Sequence, residues 1–107
     1  MKAVLALAAV LAAAACRLDN NGTGPDEGTA LVDIRETGFS PDTVRVIVGK
    51  YVRWTNRGNQ AHAISSPTFS SQNLFPTWWF EARFDAAGTY DYFCSLHAEK
   101  EGTVIAE

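Results

Sequence analysis

Histidine and methionine are scarce in this chain of 107 residues, which carries a formal net charge of −3. Its two histidines are His62 and His97, and its one methionine is Met1. Lys and Arg form no basic run, which argues against nucleic acid as a partner. Beyond the first residues, no window carries the apolar repeat of an amphipathic helix. The chain is therefore expected to be non-helical and short enough for one domain.

The first 15 residues predict an export signal that is not part of the folded domain. Lys2 forms a short basic region, and residues 3–15 are an unbroken apolar run of Ala, Val and Leu. The run fits the apolar core of a signal peptide and is shorter than the roughly 20 residues of a membrane span. We therefore assign residues 1–15 to a signal peptide and expect an exported protein.

Cys16 ends the sequence Ala13-Ala-Ala-Cys16, which resembles the cleavage box of bacterial lipoproteins. In that interpretation Cys16 carries the lipid and anchors the protein to a membrane, on the periplasmic or cell-surface side. The alternative is ordinary cleavage after Ala15, because small residues suit both peptidases. Residues 16–29 are rich in Gly and Asn and predict a flexible tether between the anchor and the domain.

Residues 30–107 predict an all-β domain. Apolar residues recur at every second position in segments 32–34, 44–48, 52–54 and 80–84. This period, with many β-branched and aromatic residues, is typical of half-buried strands. Pro and Gly mark turns between the segments. Strands at this spacing predict an antiparallel sandwich or barrel.

Cys94 and His97 form a Cys-x-x-His pair, and His62 lies upstream, just after the turn at residues 57–60. A buried Cys is often a small hydrophobe, and a His on a strand is often only hydrogen-bonded. However, the cysteines of exported proteins are normally paired in disulfides. Because Cys16 is assigned to the anchor, Cys94 has no partner, and a bound metal would account for its free thiolate. One thiolate and two imidazoles are the equatorial ligand set of a blue-copper electron-transfer site.

The residues around these three side chains resemble the plastocyanin/amicyanin-type cupredoxin family over residues 31–106. The matching motifs follow in the family's order: Phe39-Ser-Pro41, Val46-x-Val48-Gly49-x-x-Val52-x-Trp54-x-Asn56, His62, Phe84-x-x-x-Gly88-Thr-Tyr90-x-Tyr92-Phe-Cys94-x-x-His97 and Gly102-Thr-Val104. The resemblance implies a cupredoxin-like Greek-key antiparallel β-sandwich. It also implies one type 1 copper ion with His62, Cys94 and His97 as its equatorial ligands.

The chain departs from the amicyanin-like pattern at the axial ligand. The family has Met three residues after the second His, and here that position holds Lys100. Lys100 could ligate only as a neutral amine, so we expect it to turn to solvent instead. The axial position would then be empty, filled by water, or approached by the Ala61 carbonyl or a carboxylate of Glu99 or Glu101. Residues 99–101 could equally be a solvated loop.

A second departure is Ala63, where the family usually has a polar residue that ties the two ligand loops together. Its loss predicts a less rigid Cys94 loop unless Asn56, Asn59 or Ser95 replaces it. The pair Trp78-Trp79 is also unusual. Trp79 is expected to pack under the loop of residues 68–75 or to form a docking patch for a redox partner.

These observations favour a monomeric electron carrier, not an enzyme, that moves one electron between larger redox proteins. His97 would be the partly exposed edge for that transfer. Phe93 could offer a second route, although structural packing is its more usual role. Copper oxidases need further histidines, which the chain lacks. The alternatives are a copper carrier or storage module, a non-redox interaction domain, and a thiol hydrolase that uses Cys94 and His97.

Overall fold

Eight strands make up the part of the chain that the computed structural model describes, residues 26–107. They are β1 (Ala30–Arg35), β2 (Gly38–Ser40), β3 (Thr43–Val46), β4 (Lys50–Asn56), β5 (Ile64–Ser65), β6 (Trp79–Phe84), β7 (Gly88–Cys94) and β8 (His97–Ala106). One sheet has the order β2-β1-β4-β6 and the other β3-β8-β7-β5. The predicted signal peptide and Cys16 lie outside the described residues, and residues 26–29 form a turn.

The all-β sandwich predicted from the sequence is confirmed, but its sheets are mixed and not purely antiparallel. β1 pairs in parallel with β4, and β3 pairs in parallel with β8. Only Pro41 and Asp42 separate β2 from β3, and the chain changes sheet there. The turn at residues 47–49 then brings β4 back beside β1 in the same direction. Period-two patterning identifies the buried face of a strand but not its direction, so the sequence did not reveal these pairs.

Within residues 26–107 there is no helix, and therefore none that is long and apolar enough to cross a membrane.

Trp54 occupies the centre of the core between the two sheets and is fully buried. Its indole stacks on Phe69 and Phe80, at centroid distances of 5.6 and 5.7 Å, and meets Tyr92 edge-on at 5.3 Å. Phe69 comes from the loop before β6 and closes the core on that side. Aromatic side chains bury large areas, so a domain this small can depend on a few of them.

Tyr92, on β7, is 2% exposed and lies over Gly102, its partner on β8. A Cβ at Gly102 would collide with the Tyr92 ring, so glycine provides the space that the ring occupies. Among the described residues, neither the Tyr92 hydroxyl nor the neighbouring Trp54 Nε1 has a hydrogen-bond partner. Burial raises the pKa of Tyr92 to about 12, while the Trp54 indole opposes that shift.

Two details of the predicted strands are wrong. β3 ends at Val46, so Val48 lies in the following turn and is 36% exposed instead of continuing the buried face. Trp79 does not pack under the loop of residues 68–75. It is 47% exposed, and the Arg53 guanidinium lies 3.7 Å from its ring centroid. A guanidinium cation is attracted to the face of an indole ring.

We expect Tyr92→Phe to change how stability depends on alkaline pH. The Tyr92 pKa of about 12 in the folded protein exceeds the roughly 10 of an unfolded chain. Its contribution to stability is therefore complete below pH 10 and is lost as the pH rises towards 12, at about 3 kcal/mol in total. Phe cannot ionise, and it also removes an unpaired hydroxyl.

Urea unfolding of both proteins at several pH values tests this expectation. At pH 7, Tyr92→Phe should be at least as stable as the wild type. Above pH 10 it should lose less stability, because the other titrating groups are common to both proteins. Parallel stability curves from pH 9 to pH 12 would contradict the assignment.

Candidate metal centre

The side chains of His62, Cys94 and His97 lie together at one end of the sandwich. Cys94 ends β7 and His97 begins β8, so the exposed residues Ser95 and Leu96 form the turn between them. Cys94 is 1% exposed and is a free thiol. His62 comes from the loop between β4 and β5, is 2% exposed and forms an isolated bridge with Leu74.

The donor atoms of these side chains face one another. Cys94 Sγ lies 3.6 Å from Nδ1 of His62 and 3.6 Å from Nδ1 of His97. All three ligand atoms lie within 4.8 Å of one another. The two imidazole rings are tilted by 49°, with their centroids 5.0 Å apart. His62, which is far from the other two residues in the chain, thus joins Cys94 and His97 in offering two nitrogens and one sulfur to a common point.

The donor spacing fits a metal ion. Bonds of roughly 2.0–2.3 Å from sulfur and nitrogen to one ion, at angles near 120°, place the donor atoms about 3.6 Å apart. The set of one thiolate and two imidazoles is the set that blue-copper sites use. No described carboxylate joins the group, so hard cations such as Mg²⁺ and Ca²⁺ are poorly matched.

A backbone hydrogen bond ties the two ligand segments together. The Ser95 N–H, in the turn between Cys94 and His97, donates to the Ala63 carbonyl at 3.0 Å. Ala63 follows His62 directly, and it is 3% exposed. β5 also pairs Ile64 with Cys94. Of the residues considered as replacements for the family's polar side chain at position 63, Ser95 therefore contributes through its main chain.

Asn56, at the end of β4, holds the loop that carries His62. Its side chain is fully buried. The Nδ2 group donates to the carbonyls of Gln60 and Leu74, each at 2.8 Å, and Oδ1 accepts from the Gly58 N–H at 2.8 Å. The His62 main chain in turn exchanges two hydrogen bonds with Leu74. Asn56 thus replaces the ladder bonds that this irregular segment cannot make.

Comparison with known proteins agrees with this geometry. The model of the cupredoxin-like domain family matches residues 3–106. The chain belongs to the cupredoxin family.

Individual relatives support the same assignment. Amicyanin-alpha of Methylorubrum extorquens is 31% identical over 112 residues, which cover 98% of this cupredoxin and 93% of the relative. Plastocyanin of Scenedesmus fuscus is 31% identical over 99 residues, which cover 78% and 94% of the two chains.

Solved structures give the same fold. A purple cupredoxin from Nitrosopumilus maritimus superposes with a TM-score of 0.70 at 29% identity, over 73% of this chain and 99% of the other. A methionine-to-lysine mutant of amicyanin in the oxidized state also has a TM-score of 0.70, at 28% identity, over 77% and 85% of the two chains. The predicted family and fold are confirmed, and the His–Cys–His group of this cupredoxin is consistent with a type 1 copper site.

Of the residues proposed for the axial position, neither Glu99 nor Glu101 joins the group of three donors. Glu101 pairs across the ladder with Phe93, so it shares the face of Phe93, which is opposite to that of Cys94. The side chain of Glu99 is 69% exposed, and its Oε2 lies 3.7 Å from Nζ of Lys100. Ala61 directly precedes His62 in the loop, and its axial role remains a prediction.

Lys100 does not extend freely into solvent as the sequence suggested. Its side chain is 26% exposed, and Lys100 Cδ lies close to Gly38 of β2, 4.0 Å from where a Cβ of that residue would stand. The long aliphatic part of lysine commonly covers neighbouring surface while the ammonium group stays accessible.

Glu36 is a neighbour of the site that the sequence did not predict. It lies between β1 and β2, and its Oε2 is 3.6 Å from Nε2 of His62. The backbone N–H of Asn59 lowers the Glu36 pKa most, with smaller contributions from the Gln60 N–H and His62, against an opposing effect of burial. Glu36 lies in a turn 26 positions before His62, and no sequence pattern indicates that two residues so far apart are neighbours.

We expect Asn56→Ala to lower the free energy of unfolding by about 3 kcal/mol, because it leaves buried main-chain groups without partners. Metal affinity should also fall, since the His62 loop loses its support. Asn73→Ala is the matched control, because Asn73 is exposed in the loop before β6 and such substitutions change stability by roughly 0.5 kcal/mol or less. Denaturant unfolding that gives equal values for both variants would show that Asn56 does not hold the loop.

Proposed function

We propose that this cupredoxin is a small electron carrier that moves one electron between larger redox proteins on the outer side of a bacterial membrane. Its homology to amicyanin and plastocyanin identifies an electron-transfer protein of the cupredoxin type and not an enzyme. The observation that supports the assignment in this chain is the convergence of His62 Nδ1, Cys94 Sγ and His97 Nδ1.

Copper, held by these three side chains, supplies the change between Cu(II) and Cu(I) that stores one electron. The protein's part is to keep the donors in place through that change. Cys94 and His62 are buried and are held by strand pairing, the Ser95–Ala63 bond and Asn56. Donors that barely move keep the structural rearrangement between the two oxidation states small.

His97 is the proposed exit for the electron. It is the partly exposed member of the group, while the other two are buried. Leu96, the residue before it, is 48% exposed, so apolar surface adjoins the imidazole. A partner that covers this surface would come close to a copper ligand. Phe93, on the opposite face of β7 and 38% exposed, offers a second route from Cys94.

The export and anchoring of the protein rest on the sequence alone. The signal peptide of residues 1–15, the lipid on Cys16 and the tether of residues 16–29 would hold a monomeric domain near membrane-bound redox proteins. The flexible composition of the tether suits a carrier that must reach more than one partner.

Titration of the protein with Cu(II) tests copper binding. We expect an intense visible band from the Cys94 thiolate to copper, saturating at one equivalent. Cys94→Ala should abolish this band, because no other described cysteine can replace the thiolate. Ser95→Ala is the control and should keep the band, since Ser95 contributes its backbone N–H. A wild-type protein without the band would refute a type 1 site.

Two measurements on the same copper-loaded protein distinguish an electron carrier from a copper carrier or storage module. Reversible electrochemistry with fast self-exchange supports the former, and ready release of copper to an acceptor supports the latter. Thiol-hydrolase activity is disfavoured, because Cys94 is 1% exposed. A hydrolase nucleophile would be alkylated quickly, whereas the copper-ligated thiol should resist until the metal is removed.

We expect the Lys100→Met variant to have a lower reduction potential than the wild type. The wild type lacks the axial thioether, and none of the described carboxylates joins the donors, so Cu(II) loses stabilisation. Each tenfold gain in the preference for Cu(II) lowers the potential by about 59 mV.

Lys100→Leu is the matched control for this experiment, because it removes the ammonium charge without adding a sulfur. Its potential should remain above that of Lys100→Met, and the difference measures the thioether alone. Cyclic voltammetry of the three proteins decides the question. A wild-type potential below that of Lys100→Met would exclude an empty axial position and indicate an anionic ligand.

A further inference from the structure

The back of the His62 ring faces a carboxylate from a distant part of the chain. His62 Nδ1 points to Cys94, and Nε2 points away from it towards Glu36 Oε2, at 3.6 Å. His62 is 2% exposed, and within residues 26–107 its Nε2 has no hydrogen-bond partner. Buried ring nitrogens usually have a partner. A shift of about 0.5 Å would bring Glu36 to hydrogen-bonding distance.

The Glu36 carboxylate is fixed by the loop that carries His62. Oε2 accepts hydrogen bonds from the backbone N–H groups of Asn59 and Gln60, at 2.5 and 3.3 Å. A Cβ at Gly58 would collide with this carboxylate, so glycine there allows the close approach. The side chain of Glu36 is only 38% exposed. The position of the carboxylate is therefore set by its contacts with residues 58–62, whereas a solvated side chain in a turn would have no such contacts.

We infer that Glu36 is a positioning residue of the copper site, acting through His62; this inference rests on the proposed function. A carboxylate at Nε2 keeps the proton on that nitrogen and leaves the Nδ1 lone pair free for the metal. It also fixes the ring orientation and increases electron donation by the imidazole. Greater donation stabilises Cu(II) more than Cu(I), so Glu36 lowers the reduction potential.

Glu36→Gln tests this role, because it keeps the shape and an oxygen acceptor for the loop N–H groups but removes the charge. We expect Cu(II) affinity of the full chain, measured by competition with a chelator, to fall about 10- to 100-fold. If Cu(I) affinity is unchanged, the potential rises by about 59 mV for each tenfold loss. Glu36→Asp keeps the charge and should lie closer to the wild type in both measurements.

Glu27→Gln is the control for the loss of one negative charge, since Glu27 is exposed and lies outside the site. It should leave affinity and potential unchanged. Changes in Glu36→Gln no larger than those in Glu27→Gln would overturn the proposal. Equal potentials for Glu36→Asp and Glu36→Gln would also overturn it, because the charge would then have no effect.

A zinc-loaded sample separates this inference from the proposed copper function. Zn²⁺ is diamagnetic and binds Cys and His donors, so proton NMR can observe the His62 Nε2–H directly. In the wild type this proton should resonate downfield and exchange slowly with water, and in Glu36→Gln it should move upfield and exchange faster. An identical resonance in both proteins would overturn the role of Glu36, whether or not copper gives a visible band.

Discussion

Burial of the Asn56 side chain at the end of β4 is the constraint on which the metal centre depends. His62 must meet Cys94 from a segment without a continuous strand, and such a segment has main-chain groups that no ladder satisfies. Asn56 supplies three of the missing bonds to the loop and its neighbour Leu74. Without them, the loop that carries His62, the most distant of the three donors, would be held less firmly opposite Cys94 and His97.

The centre joins two segments of the chain that are held in different ways. Cys94 and His97 come from a short turn between paired strands, where geometry follows from the ladder. His62 is held by Asn56 through its loop and by the Ser95–Ala63 hydrogen bond, and Glu36 lies behind the ring at 3.6 Å from Nε2. These contacts tie the two ligand segments together although position 63 holds Ala63, which has no polar side chain. Fixed donors on both sides suit an ion that changes oxidation state.

Much of the fold could be predicted from the sequence, because the period-two pattern reports burial directly. Val32, Ile34, Val52 and Trp54 are all buried as that pattern indicates. Strand direction was not predictable from it, since the parallel pairs depend on where the chain changes sheet, near Pro41. Of the two expectations for Trp79, the structure contradicts the packing under the loop of residues 68–75. Its neighbour Arg53 lies on an adjacent strand, and a cation over the ring favours the exposed position.

The sequence by itself indicated the donor set, since the two histidines and Cys94, the one cysteine not assigned to the membrane anchor, leave no other thiolate–imidazole combination. It also determined that no methionine could fill the axial position. Only the tertiary structure decided what surrounds those donors: Glu36 lies behind His62, Lys100 Cδ lies near Gly38, and Glu101 is on the opposite face of the sheet from Cys94. These arrangements depend on strand register and on the crossing between sheets, which bring together residues that no local pattern relates.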